Sequence, residues 1–218
     1  MKRWHPMYDT FKRVADILVA GLLLVVLSPL LLVLAILVRL YLGSPVLFAQ
    51  MRPGKGGELF RMLKFRTMIP APAATGAVEA VGSDAERMTR FGRLMRSTSL
   101  DELPELFNVL VGQMSIVGPR PLLPEYLTRY NANQARRHEV RPGITGWAQV
   151  NGRNAVDWDE RLAMDVWYVD HRSFALDAKI LGMTAGTVLH REGVAAAGQA
   201  TVGAFDPKQD DSDTEETT

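Results

Sequence analysis

Residues 17–38, ILVAGLLLVVLSPLLLVLAILV, carry no charge over 22 positions and one frankly polar side chain, Ser28. A straight helix of that length reaches roughly 33 Å, enough to cross a bilayer core. A soluble core helix would show a polar stripe, and this run has none. It is too long for a secretory signal, and no small-residue cleavage site follows it. The break at Ser28-Pro29 is the puzzle. Pro29 deprives the carbonyl of Val25 of its amide partner and forces a kink. The Ser28 hydroxyl is expected to bond back to the Leu24 carbonyl and deepen the bend. A kinked spanning helix and a re-entrant helix-break-helix both remain open. Basic residues lie on both sides, with Lys2, Arg3, Lys12 and Arg13 before the run and Arg39, Arg52 and Lys55 after it. That symmetry favours two ends at the same cytoplasmic surface, with Lys12 and Arg13 in contact with headgroups. No second apolar run of 18 residues follows, so the rest of the chain is expected on one side.

The remainder narrows the chemistry. The absence of Cys excludes disulfides, thiolate metal sites and a Cys nucleophile. The four His lack metal-ligand spacing. The tail 206–218, DPKQDDSDTEETT, is net −5 within a chain of net +1, leaving the body at +6. The tail reads as disordered. The basic body, with few interleaved aromatics, suits membrane phospholipids or phosphorylated ligands and not nucleic acid.

PVLFAQ and ELFRMLKFRTM flank the turn RPGKGG and predict a β-hairpin. Residues 70–83 form an Ala/Pro/Gly loop. Helical patterns follow at 84–95, 100–112, 122–139, 157–172 and 175–190. The expected fold class is α+β and mostly helical. A re-entrant N-terminal helix pair (1–43) precedes a membrane-apposed catalytic domain with a small hairpin (44–205) and the acidic tail.

Several stretches carry candidate chemistry. In STSLDELPELFNVL, residues 97–110, Ser99-x-x-Glu102 is a capping box, or Asp101 is the N-cap with Pro104 in the first turn. The functional alternative makes one carboxylate a nucleophile and its neighbour a Mg²⁺ ligand near a phosphate-binding helix terminus. Lys64 and Arg66 share one side of a predicted strand. In GPRP, Pro119 and Pro121 stiffen the backbone that presents Arg120, which suits phosphate recognition or a rigid surface turn. RPGITGWAQVNGR has Arg141 and Arg153 at its ends, with three glycines that permit close approach to a ligand. Asp177 is a supporting acid or belongs to the first turn of the last helix. No P-loop or G-x-G-x-x-G pattern is present.

In order along the chain, KR-x-x-D, an apolar run with central Ser-Pro, KFRTM, SLDELPELFNVL, MSIVGPRPLLPEY, RPGITGWAQVNGR and YVDHRSFALDAKIL resemble the bacterial sugar transferase family. The likeness is to its small monotopic phosphoglycosyl transferases, of the PglC type, and covers about residues 8–205. It implies transfer of a sugar-1-phosphate from a UDP-sugar to undecaprenyl phosphate, with release of UMP. It also implies Mg²⁺, a re-entrant helix bent at Ser28-Pro29, and a catalytic domain on the cytoplasmic face of the bacterial inner membrane. On this likeness Asp101 is the nucleophile and Glu102 the Mg²⁺-associated acid. Lys64, Arg66, Pro119, Arg120, Pro121, Arg141, Arg153 and Asp177 serve the substrates. The stretch REGVAAAGQATVGAF resembles members acting on N-acetylated amino sugars such as diacetylbacillosamine. UDP-glucose and UDP-galactose remain alternatives, as does an inactive anchored scaffold that recruits later glycosyltransferases.

Overall fold

The protein was analysed as a computed structural model, which describes residues 6–69, 87–152, 156–190 and Phe205. Arg153, the 70–83 loop, residues 191–204 and the acidic tail lie outside the described residues.

The apolar run is two helices, α1 (Pro6–Val26) and α2 (Ser28–Leu42), bent 64° apart. Among the described residues no single helix is long and apolar enough to cross a membrane; the bent pair passes that test only taken together. Leu27, at φ −88° and ψ 1°, leaves the helical region, and Pro29 falls in the first turn of α2, where its missing N–H costs nothing. The Ser28 hydroxyl does not reach Leu24 as expected. It donates to the Val25 carbonyl at 2.8 Å, the group that Pro29 leaves without an amide. The bend is therefore hydrogen-bonded.

Each limb buries one face and exposes another. Ala20 of α1 packs with Phe60, Met62, Leu106, Val109 and Met114. Leu34, Val38 and Leu42 of α2 pack with Phe65 and Met95. Leu18, Leu22, Val25 and Val26 on α1 stay exposed, with Leu32, Val33, Leu40 and Tyr41 on α2. Together these side chains form an extended exposed apolar surface on the bent pair.

The KR-x-x-D motif roots the pair in the body. Arg13 caps a helix C-terminus by donating to the carbonyls of Val109 (2.7 Å) and Leu110 (3.0 Å). Asp16 accepts from the Ser115 hydroxyl at 2.7 Å and the Ile116 amide at 3.1 Å. Lys12 pairs with Asp177 at 2.8 Å. Lys12 and Arg13, expected at headgroups, are thus engaged with the protein itself.

The hairpin forms as expected, β1 (Leu47–Pro53) antiparallel to β2 (Leu59–Phe65). Pairing of Phe48 with Lys64, Gln50 with Met62 and Arg52 with Phe60 puts these residues on one face. Then come α3 (Arg90–Ser97), α4 (Glu105–Val111), β3 (Ser115–Val117), β4 (Gly143–Thr145), α5 (Trp147–Asn151), α6 (Trp158–His171) and α7 (Phe174–His190). The parallel β3–β4 pair was not anticipated. It explains the glycines. A Cβ on Gly143 would lie 2.1 Å from the Gly118 amide, and one on Gly146 would lie 2.2 Å from the Gly118 carbonyl. These glycines bring backbone against backbone, the close approach that the sequence allowed for being to the chain itself.

The helix expected over 122–139 is instead two 3₁₀ turns, Pro124–Tyr126 and Gln134–Glu139. Between them the Asn131 side chain accepts from the amides of Asn133 and Gln134, a local bond that competes with helix formation.

Candidate active site

The acid pair lies on a 3₁₀ turn, Leu100–Glu102, between α3 and α4. Both capping readings fail here. Ser99 makes no side-chain cap and adopts φ 54°, a left-handed conformation uncommon outside glycine, while the N-cap of α4 is Pro104. The turn gives the two carboxylates different surroundings. Asp101 is buried to 7% exposure. Glu102 turns towards the hairpin, where its Oε1 meets Lys64 Nζ at 2.6 Å and Arg120 Nη2 at 2.5 Å.

Two supports hold those cations. Asn108 of α4 clamps the edge of β2, accepting from the Leu63 amide at 3.0 Å and donating to the Arg61 carbonyl at 2.7 Å. Lys64 is thereby fixed opposite the acid turn. Arg120, with 40% of its side chain exposed, stands between the buried rings of Pro119 and Pro121. Its carbonyl accepts from Arg137 at 2.6 Å, and Arg137 pairs with Asp165 at 2.6 Å inside the body. Pro119 adds its carbonyl to the Gly143 amide, tying the presenting segment to β4.

Electrostatics separate the acids. Burial and the neighbouring Glu102 charge push Asp101 up to about 6, although Lys64 and Arg96 act against the rise. Burial works to raise Glu102 too, but Arg120 and Lys64 outweigh it and hold this carboxyl below its usual range. Arg120 is correspondingly held as a cation by Glu102, against the cost of burial. Near neutrality Asp101 is therefore a desolvated carboxylate that is mostly ionised, beside a permanently charged Glu102.

A third acid was missed. Glu105 is 2% exposed, and its Oε1 forms an ion pair with Lys64 Nζ at 3.2 Å. Burial and the Glu102 charge raise its pKa. Its spacing was a usable signal, because residues three apart share a helix face.

Among the described candidates, Arg66, Asp177 and Arg141 make their contacts away from the acid pair. Arg66 is buried and donates to the carbonyls of Leu42 and Ser44, tying the end of α2 to the hairpin. Asp177 accepts from Tyr8, Lys12 and Tyr168, each at 2.8 Å, linking α7 to the root of α1. Arg141 donates to the Gly112 carbonyl at 2.8 Å, beside a charged hollow lined by Lys12, Arg13 and Asp16.

Comparison with known proteins places the chain in a family. Residues 7–191 match the bacterial sugar transferase family. The chain is 50% identical over 194 residues to the uncharacterized sugar transferase EpsL of Bacillus subtilis (strain 168), covering 89% of this chain and 95% of EpsL. It is 42% identical over 195 residues to a UDP-glucose:undecaprenyl-phosphate glucose-1-phosphate transferase of Klebsiella pneumoniae, covering 82% of this chain and 42% of that protein. A UDP-N-acetylgalactosamine-undecaprenyl-phosphate N-acetylgalactosaminephosphotransferase of Aeromonas hydrophila is 40% identical over 190 residues, with coverage of 84% and 45%. The chain thus spans less than half the length of these last two. With a match over most of its length and half its residues shared with a full-length relative, the chain belongs to the bacterial sugar transferase family and is an enzyme of that class.

Proposed function

We propose that this protein transfers a sugar-1-phosphate from a UDP-sugar to undecaprenyl phosphate through an aspartyl-phosphosugar on Asp101. The observation that carries the reading is the buried Asp101 carboxylate beside a Glu102 held between Lys64 and Arg120. A carboxylate with few hydrogen-bond donors is a stronger nucleophile than one in water, and fixed cations neutralise the approach of an anionic diphosphate. In the first half-reaction an Asp101 oxygen bonds to the sugar-bearing phosphorus. The bond from that phosphorus to the bridging oxygen breaks, and UMP leaves with the electron pair. In the second, the acceptor's phosphate oxygen attacks the same phosphorus and the Asp101 carboxylate is released. The acyl phosphate keeps the free energy of the anhydride bond between the two steps.

Among the described residues no group of three or more acids or histidines is gathered to hold a metal ion. The carboxylate oxygens nevertheless fit a hard cation. Mg²⁺ would be held by Glu102 together with phosphate oxygens and water, and when bound would supply charge neutralisation at the phosphoryl oxygens.

The exposed apolar faces of α1 and α2 support insertion of the bent pair into the cytoplasmic leaflet of the bacterial inner membrane. That placement holds the acid turn near the headgroups, where the acceptor's phosphate lies. The donor is read as an N-acetylated amino sugar, on the resemblance of residues 191–205 alone. A panel of UDP-sugars supplied to the purified protein with undecaprenyl phosphate and Mg²⁺ tests both parts. Faster turnover of N-acetylated donors is expected. Preference for UDP-glucose or UDP-galactose would overturn the sugar assignment, and no UMP from any donor would overturn the activity.

A further inference from the structure

Counted by sequence among the charges flanking the membrane segment, Arg52 belongs elsewhere. It lies on β1 opposite Phe60, on the hairpin face that also carries Lys64. It is half-buried. Among the described residues its one hydrogen bond runs from Nη2 to Gln50 Oε1 at 2.8 Å, no acid lies within ion-pair distance, and its Nε is buried without a partner.

Other cations here are better provided for. Lys64, Arg120 and Arg137 meet carboxylates, while Arg13, Arg66 and Arg141 donate to main-chain carbonyls. Arg52 has neither in direct contact: burial and the Arg120 charge act against its own, and the Glu125 and Glu105 charges favour it only from beyond ion-pair distance. A guanidinium withdrawn from water beside a second one is costly to hold unless an anion completes it. Arg120 already stands at the acid pair, so the missing anion belongs to the same substrate.

We propose that Arg52 binds the phosphate of the leaving nucleoside monophosphate, while Arg120 and Lys64 serve the transferring phosphoryl group at Asp101. The inference rests on the diphosphate chemistry proposed above. When the bond between the sugar-bearing phosphorus and the bridging oxygen breaks, the electron pair stays on the oxygen of the departing monophosphate. A planar guanidinium meets that growing charge with charge-assisted hydrogen bonds.

The test uses the full chain in detergent or nanodiscs with UMP as probe. Calorimetric titration gives the Kd for UMP, and steady-state kinetics give KM for the UDP-sugar and, separately, for undecaprenyl phosphate. Arg52→Gln should weaken UMP binding and raise the donor KM by about tenfold, the scale of one charge-assisted contact, with the acceptor KM within about twofold. Arg52→Lys should recover part of the loss. Arg52→Met keeps the apolar stem, so it should match Arg52→Gln if charge is the cause; thermal melts report folding of each variant. Unchanged UMP affinity and donor KM in folded variants would overturn the proposal, as would an effect confined to the acceptor KM or a wild type that binds no UMP. Because UMP titration needs no turnover, an inactive wild type that still binds UMP through Arg52 would count against the transferase reading alone.

Discussion

Glu102 Oε1 receives Arg120 Nη2 at 2.5 Å, and the same oxygen receives Lys64 at 2.6 Å. One carboxylate oxygen thus joins the GPRP segment to the hairpin across the acid turn. The arrangement sets the charge of the site without using Asp101, which is left free for the nucleophilic role proposed for it. Arg120→Ala should leave Glu102 desolvated with Lys64 as its main counter-charge. Loss of a cation at a developing phosphoryl charge costs on the order of 10²–10³ in kcat. Arg120→Lys should recover only part, because an ammonium lacks the planar fork. Turnover measured beside a thermal melt checks this. Full activity in Arg120→Ala would remove the residue from the site.

Glu105 gives a pH signature. Burial and the Glu102 charge raise its pKa in the folded protein above the ordinary glutamate value. The folded state therefore binds its proton more tightly than the unfolded chain does. Stability carried by that proton is present at low pH and is lost as pH rises from the ordinary glutamate range through the raised value. Glu105→Gln cannot ionise, so its melting temperature relative to wild type should be higher at pH 8 than at pH 4.5. An equal offset at both pH values, or the reverse trend, would show that folding does not raise the Glu105 pKa.

The Gly118–Gly143 contact is a packing test. A methyl on Gly143 has no room beside the Gly118 amide, and the flanking backbones would have to separate. Overpacking of this kind costs about 1–3 kcal/mol, which at this chain length is on the order of 2–12 °C in Tm. Gly143→Ala should show that loss, with activity reduced because Arg120 is carried by the same contact. A variant that melts and turns over as wild type does would mean that the β3–β4 pair is not held as described.

Topology is directly accessible, because the chain has no native Cys. A Met7→Cys variant places a thiol at the exposed start of α1. A membrane-impermeant thiol reagent should leave it unmodified in intact spheroplasts and modify it in inside-out vesicles. Labelling from outside the spheroplast would make α1–α2 a spanning segment and refute re-entry.

Much of this was legible in the residues for physical reasons. Twenty-two uncharged positions broken by Ser28-Pro29 could only form helices with a kink, and alternation around RPGKGG could only be a hairpin. What failed depended on distant partners. Lys12 and Arg13 looked like headgroup ligands because nothing local shows that Asp177 and the α4 carbonyls lie opposite them. Ser99 and Glu102 matched a capping box, but the carboxylate is taken by cations 38 and 18 positions away in sequence. The partner that glycines 143 and 146 approach could not be read, because a three-residue parallel strand pair is too short to leave a pattern. Arg66 shared an alternation face with Lys64 on paper, but β2 ends at Phe65 and Arg66 turns to the end of α2.

Whether Asp101 carries the phosphosugar is decided by one experiment. Enzyme at known concentration is mixed with its UDP-sugar and Mg²⁺, with undecaprenyl phosphate withheld, and UMP is quantified over time. The account predicts a burst approaching one UMP per active site, then a plateau, with the missing sugar phosphate recovered on the peptide containing Asp101. Asp101→Asn, close to isosteric in a buried position, should abolish the burst without lowering Tm appreciably. UMP released only after undecaprenyl phosphate is added, or a burst that survives in Asp101→Asn, would contradict it and leave direct transfer between the two substrates.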